Sequence, residues 1–209
     1  YGNLGLIEQK RGNLDAAEAY HKKSLAINEK LGRLEGMANQ YGNLGLIEQT
    51  RENLDAAEAY HKKSLVIEEK LGRLEGMASD YGNLGVIEQT RENLDAAEAY
   101  LKKSLAIHEK LGRLEGMASN YGNLGVIEQK RGNLDAAEAY HKKSLAIEEK
   151  LGGLEGMAIQ YCNLGAIAKQ RANKAEARRL WKLSIDLFRK VGAKPKERLV
   201  QSSLDALGE

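Results

Sequence analysis

Tyr1, Tyr41, Tyr81, Tyr121 and Tyr161 recur every forty residues, inside YGNLG in four copies and YCNLG in the fifth. A fixed period of this size restricts the chain to repeat architectures. Each unit is one supersecondary piece that cannot bury its apolar face until a neighbour stacks on it. The first two copies differ only at Lys10/Thr50, Gly12/Glu52, Ala26/Val66, Asn28/Glu68, Asn39/Ser79 and Gln40/Asp80. Changes so few and so scattered fit a recently duplicated natural repeat, and equally a designed consensus array. A chain that begins at Tyr1 and not at Met is expected to be a piece of something longer.

Each copy reads as two helices. Between Leu34 and Arg51, Met37, Tyr41, Leu44 and Ile47 follow i, i+4, i+7, i+10, the stripe of an amphipathic helix. Arg51-Glu52-Asn53-Leu54 interrupts that period, and Asn53 is placed to cap a second helix with Asp55 in its first turn. Leu54, Ala57, Tyr60, Ser64, Leu65 and Ile67 are expected to form the apolar side of that helix. Gly72 should end it in the left-handed conformation, as should Gly32, Gly112, Gly152 and Gly192 in the other copies. Glu58 and Lys62, four apart, mark its solvent side. One proline in 209 residues, against abundant Ala, Leu, Glu and Lys, removes the main obstacle to helix throughout.

The last copy departs from the pattern as an end unit should. Asn173-x-x-Glu176 resembles a capping box. Trp181, Ile185 and Phe188 then form a bulky face at i, i+4, i+7 with no counterpart elsewhere. Pro195 opens a final helix, roughly 195–207, whose Leu199, Leu204 and Leu207 are expected to cover the exposed end. The expected fold is all-α, a solenoid of stacked antiparallel helix pairs. Its units are 1–40, 41–80, 81–120, 121–160 and 161–192, with a C-terminal capping helix in 193–209. The N-terminal end shows no comparable cap, so apolar surface is expected to lie open there and to invite self-association.

Several chemistries are disfavoured. Apolar runs are too short to span a bilayer, and no secretory leader is visible, so a cytoplasmic setting is expected. The single Cys162 excludes an internal disulfide and a multi-cysteine zinc site. Net charge is +2, but residues 161–209 carry +6 and residues 41–80 carry −3. The basic end lacks the aromatic interleaving of a nucleic-acid surface and reads as a soluble cap. His21, His61 and His141 occupy one repeat position, with Leu101 in the third copy. Stacked helices lie about 10 Å apart, too far to share a metal, so packing is expected. Ser24, Ser64, Ser104 and Ser144 belong to the buried side. Glu8, Glu48, Glu88 and Glu128 recur as solvated or salt-bridged residues. An active site is ordinarily unique, whereas every candidate here is repeated, and no glycine motif marks a nucleotide site. Neither enzyme activity nor a cofactor is expected.

With Tyr1, Leu4-Gly5, Ala17 and Leu25 in place and repeated, the unit resembles the tetratricopeptide repeat over residues 1 to about 190. Its forty-residue period and LGRLEGMA connection are similar to those of the kinesin light chain group and of adaptors with Leu-Gly-Asn repeats. It departs from the pattern at Glu8 and its copies, with Ala168 last, where an aromatic is usual. The resemblance implies that the first helices line a concave groove for a protein or peptide partner. Gly2, Leu6 and Gln9 would then form the floor, flanked by Asn3 and Lys10. The equivalents give an asparagine row of Asn3, Asn43, Asn83, Asn123 and Asn163, and a glutamine row of Gln9, Gln49, Gln89 and Gln129. An apolar stripe of Leu6, Leu46, Val86, Val126 and Ala166 runs between them. The family's groove asparagines hold a ligand's main chain, and a carboxamide has the donors and acceptors to match a peptide group. The alternative places these asparagines as caps or packing residues. Only Lys10 and Lys130 add positive charge, so the amide rows predict little charge selectivity. Two functions remain: a peptide-binding scaffold, or an assembly and spacer module that stacks through its open N-terminal end.

Overall fold

Helices follow one another through turns of two or three residues that repeat the same hydrogen bonds. In the first turn the Gly12 N–H donates to Gln9 O (3.0 Å) and the Asn13 N–H to Glu8 O (2.9 Å). This is a Schellman arrangement, which requires a left-handed residue at its centre. Gly12, Gly32, Gly72, Gly112, Gly132, Gly152 and Gly192 supply it with φ between 63° and 80°. At the corresponding turns Glu52, Glu92 and Ala172 adopt φ of 61°, 64° and 58° despite their side chains.

The computed structural model describes residues 1–208 and contains eleven helices and no strand among them. In chain order they are α1 (Gly2–Lys10), α2 (Leu14–Lys30), α3 (Leu34–Thr50), α4 (Leu54–Leu71), α5 (Leu74–Thr90) and α6 (Leu94–Leu111), followed by α7 (Leu114–Lys130), α8 (Leu134–Leu151), α9 (Leu154–Gln170), α10 (Lys174–Lys190) and α11 (Lys194–Asp205). Among the described residues, no helix is long and apolar enough to cross a membrane. The chain divides within α6 into two compact units, residues 1–107 and residues 108 onward.

In the first unit each helix packs on the next from α1 to α5, joining first and second helices alternately. First helices bury Ala38, Leu44 and Ile47 on α3 and Ala78, Leu84 and Ile87 on α5, all 0–1% exposed. A large aliphatic side chain so buried stabilises the fold by about 1.5–3 kcal/mol. The second helix corrects the expected apolar side. On α4 the buried residues are Ala57, His61, Ser64 and Glu68, at i, i+4, i+7, i+11. Leu54, Tyr60, Leu65 and Ile67 are only half-buried. The small Ala57 and Ser64 let the helices approach, and Ser64 Oγ donates to Ala38 O (3.2 Å). Tyr60 instead stacks on Tyr41 (centroids 6.2 Å apart), with Lys63 Nζ 5.6–5.8 Å from both rings.

Asn53 stands at the cap position of α4, but its side chain does not cap. Its Nδ2 donates to Glu48 Oε2 (2.8 Å), and the charged acceptor wins over the helix end. In the last pair Ala168 replaces that glutamate. Asn173 is thereby released, and its Oδ1 accepts from the Glu176 N–H (3.1 Å) as a capping box requires. Arg51 reaches Glu48 Oε1 (2.7 Å), Glu18 Oε2 (2.6 Å) and Asp15. Arg91 repeats this with Glu88 (2.8 Å), Glu58 (2.6 Å) and Asp55 (2.5 Å). Each arginine thus clips its helix pair to the preceding one.

In the second unit Trp181, Ile185 and Phe188 are 2–4% exposed and anchor a cluster with Leu164, Leu180 and α11. Pro195 lies in the first turn of α11, where its missing N–H costs nothing. Val200, Leu204 and Leu207 make the contact (2–9% exposed), while Leu199 is 70% exposed, contrary to expectation. The i, i+4, i+7 phase that seats Leu204 and Leu207 selects Val200 and turns Leu199 outward.

Candidate functional site

The site begins with glycines that let second helices come close. A Cβ at Gly45 of α3 would lie 2.6 Å from His61 Nε2, so only glycine admits this ring. His61 is fully buried, and its Nδ1 pairs with Asp80 Oδ1 of α5 (3.1 Å). His21 does the same with Gln40 Oε1 of α3 (2.8 Å), and His141 with Gln160 Oε1 of α9 (2.9 Å). Each histidine thereby fixes, in the next helix pair, the residue that precedes the YGNLG or YCNLG segment. Gln40 and Asp80 are consequently buried, at 8% and 3% exposure.

Above this layer the first unit holds a cavity of about 370 Å³. Its wall is Gly2, Asn3 and Leu6 from α1; Ala38, Asn39, Gln40, Gly42, Asn43 and Leu46 from α3; Ser64 and Glu68 from α4; and Gly76, Ser79, Asp80 and Asn83 from α5. Three asparagines of one repeat position therefore meet in a single groove. Gly42 leaves open space there, since a Cβ would meet only Ser64 Oγ at 3.9 Å. Leu6 and Leu46 are exposed (41% and 38%) and give the groove its apolar patches.

The remaining expected residues are distributed as follows. Val86 is exposed on α5 outside the cavity wall. Gln9, Gln49 and Gln89 are half-buried and also outside that wall. Gln49 Nε2 donates to Asn83 O (3.4 Å), a contact that holds α3 to α5. Lys10 is exposed in the last turn of α1. In the second unit Asn123, Val126 and Gln129 lie half-buried on α7, with Lys130 exposed at its end. Asn163 and Ala166 are half-buried on α9, next to Cys162, whose thiol is pushed up by burial. A second cavity, about 410 Å³, lies among α8, α9 and α10 beside Ala168.

Asn39, Ser79, Glu68 and Asp80 were not anticipated in the wall. A signal for them is present in the repeats themselves. Three of the six differences between the first two copies, Asn28/Glu68, Asn39/Ser79 and Gln40/Asp80, involve these positions.

Within each unit antiparallel helix pairs pack one on the next, the arrangement of an α-solenoid. Within that class the chain belongs to the tetratricopeptide repeat family, whose model matches residues 1–65, 36–110 and 116–190. A search of curated proteins by sequence finds no match. Solved structures share the fold. BtubC (BKLC) from P. vanneervenii is 23% identical with a TM-score of 0.79, over 90% of this chain and 78% of that one. A signal-transduction ATPase with numerous domains and a tetratricopeptide repeat sensor, from Pyrococcus horikoshii, is 22% identical with a TM-score of 0.84. That alignment takes in 99% of this chain but only 32% of the ATPase. A kinesin light chain-like protein of nearly identical repeats from Podospora anserina is 19% identical with a TM-score of 0.70, over 91% and 94% of the two chains. Repeats of this family form scaffolds for protein–protein interaction.

Proposed function

We propose that the groove of the first unit holds an extended segment of a partner protein, with Asn3, Asn43 and Asn83 hydrogen-bonding its main chain. The observation that supports this most directly is the meeting of those three carboxamides in one cavity with Leu6 and Leu46. Each amide offers two donors and two acceptor lone pairs, enough to match successive peptide groups of a ligand. The leucines would take side chains from one face of the segment, and Gly42 would let its backbone approach. Asn123 and Asn163, with Val126 and Ala166, would serve the second unit in the same way.

A peptide array probed with the full chain and with an Asn3→Ala/Asn43→Ala/Asn83→Ala variant tests this reading. The expected result is a loss of at least about tenfold in affinity, since a few anchors dominate such interfaces. Binding of unchanged affinity in the variant would remove the asparagines from the site.

A further inference from the structure

The amide rows carry no net charge, but the wall beneath them does. Glu68 and Asp80 both line the cavity and are only 2% and 3% exposed. Asp80 uses Oδ1 on His61, and its Oδ2 has no hydrogen-bond partner. Glu68 Oε2 also has none; Arg73 Nε stands 3.4 Å away without hydrogen-bonding geometry. Arg73 is shared with Glu35 (Nη1 to Oε1, 3.2 Å), so two carboxylates draw on one guanidinium while Asp80 faces only His61. Burying a carboxylate without a full set of partners is costly.

Nothing in the fold demands that cost, because the preceding repeat places Asn28 and Gln40 at the same two positions. Gln40 still pairs with its histidine there. The stacking of helices therefore does not require the negative charge at these two positions.

We propose that the pocket formed by Glu68 and Asp80 takes the lysine or arginine side chain of the extended segment described above, and so selects basic partner sequences. The proposal rests on the groove reading and adds to it the identity of one side chain. An ammonium or guanidinium has donors only, and the pocket offers the matching surplus of acceptors: two carboxylates, the carboxamide oxygens of Asn43 and Asn83, and the Ser79 hydroxyl. The alkyl stem of either residue would lie along Leu46 and Leu6, leaving the charged end at the acidic wall. The cavity, about 370 Å³, has room for such a side chain. A field of one sign focused in a cleft attracts the opposite charge before contact is made.

Pools of blocked nine-residue peptides, random except for a central Lys, Arg, norleucine or Glu, test the proposal against the full chain. Asp80→Asn and Glu68→Asn are suitable variants, because the chain itself carries Asn120 and Asn28 at the equivalent positions. The Lys and Arg pools should bind about tenfold or more tighter than the norleucine pool, as charge-assisted bonds require. The double variant should lose that preference while holding the norleucine pool as before. Spermidine, a cation without a peptide backbone, should compete poorly. Binding with no cationic preference, or a preference that survives the double variant, would overturn the pocket and leave the groove standing. A preference that depends on Asp80 but ignores Asn43→Ala and Asn83→Ala would support the pocket and remove the asparagine row. Absence of binding by every pool would overturn both. Melting curves give a second readout. The variants should be at least as stable as the parent, since a buried and incompletely satisfied carboxylate is removed. A lowered melt in both would mark the carboxylates as structural and overturn the proposal.

Discussion

Gly45 and Gly42 lie three residues apart on α3, yet a methyl group would meet very different surroundings at each. At Gly45 it would collide with His61 Nε2 at 2.6 Å, whereas at Gly42 the nearest atom is Ser64 Oγ at 3.9 Å. Gly45→Ala should therefore cost about 1–3 kcal/mol through overpacking. Gly42→Ala should stabilise α3 by up to about 1 kcal/mol, the helix penalty of glycine. Urea denaturation of the two variants checks both signs. His141 sets a pH dependence. Burial holds His141 below its ordinary value of 6.5, opposed in part by the bond to Gln160. The unfolded chain takes up that proton first, so this contribution is complete above pH 6.5 and drains away as pH falls below it. His141→Leu copies Leu101 of the third repeat and should narrow the difference in melting temperature between pH 7.5 and 5.5. At this scale the sequence disclosed that the histidines pack. It did not disclose their partners, because Gln40, Asp80 and Gln160 lie nineteen residues downstream, on a different helix.

For elements, periodicity was a sound guide where burial is apolar and a poor one where it is polar. The first-helix stripe of Leu44 and Ile47 was legible. The stripe of α4 was not, since hydropathy cannot rank His61 or Glu68 as core residues. The row Asn3, Asn43 and Asn83 followed from the forty-residue spacing, whereas its place in a groove came from the family resemblance. Glu68 and Asp80 were hidden, because a charge is read as solvent-facing until its surroundings are known. Junctions between pairs depend on the arginine clips. Glu58 is held below the ordinary carboxyl value of 4.5 by hydrogen bonds from Lys62 and then from Arg91. That stabilisation is fully present above pH 4.5 and is lost as pH falls through the lowered value. Arg91→Met should cost about 1–3 kcal/mol at neutral pH. Its deficit relative to the parent should shrink as pH is lowered from 7 to 3.5, which chemical denaturation at a series of pH values would show.

Across the whole molecule, stability in a repeat array is close to a sum of individual pairs and their junctions. Pairs of almost one sequence would then be expected to open with almost one free energy. The left-handed turns break that equality. Glu52, Glu92 and Ala172 hold a backbone conformation that Gly12 and Gly132 adopt freely, at a cost of about 1–2 kcal/mol each. Hydrogen exchange resolved by residue should show the amides beside 52, 92 and 172 opening more often than those beside 132. Glu92→Gly should bring its hairpin into line with the hairpin at 132. A single dihedral angle would then act as a local thermostat, giving near-duplicate segments of one polypeptide distinct melting behaviour while their packed surfaces stay the same.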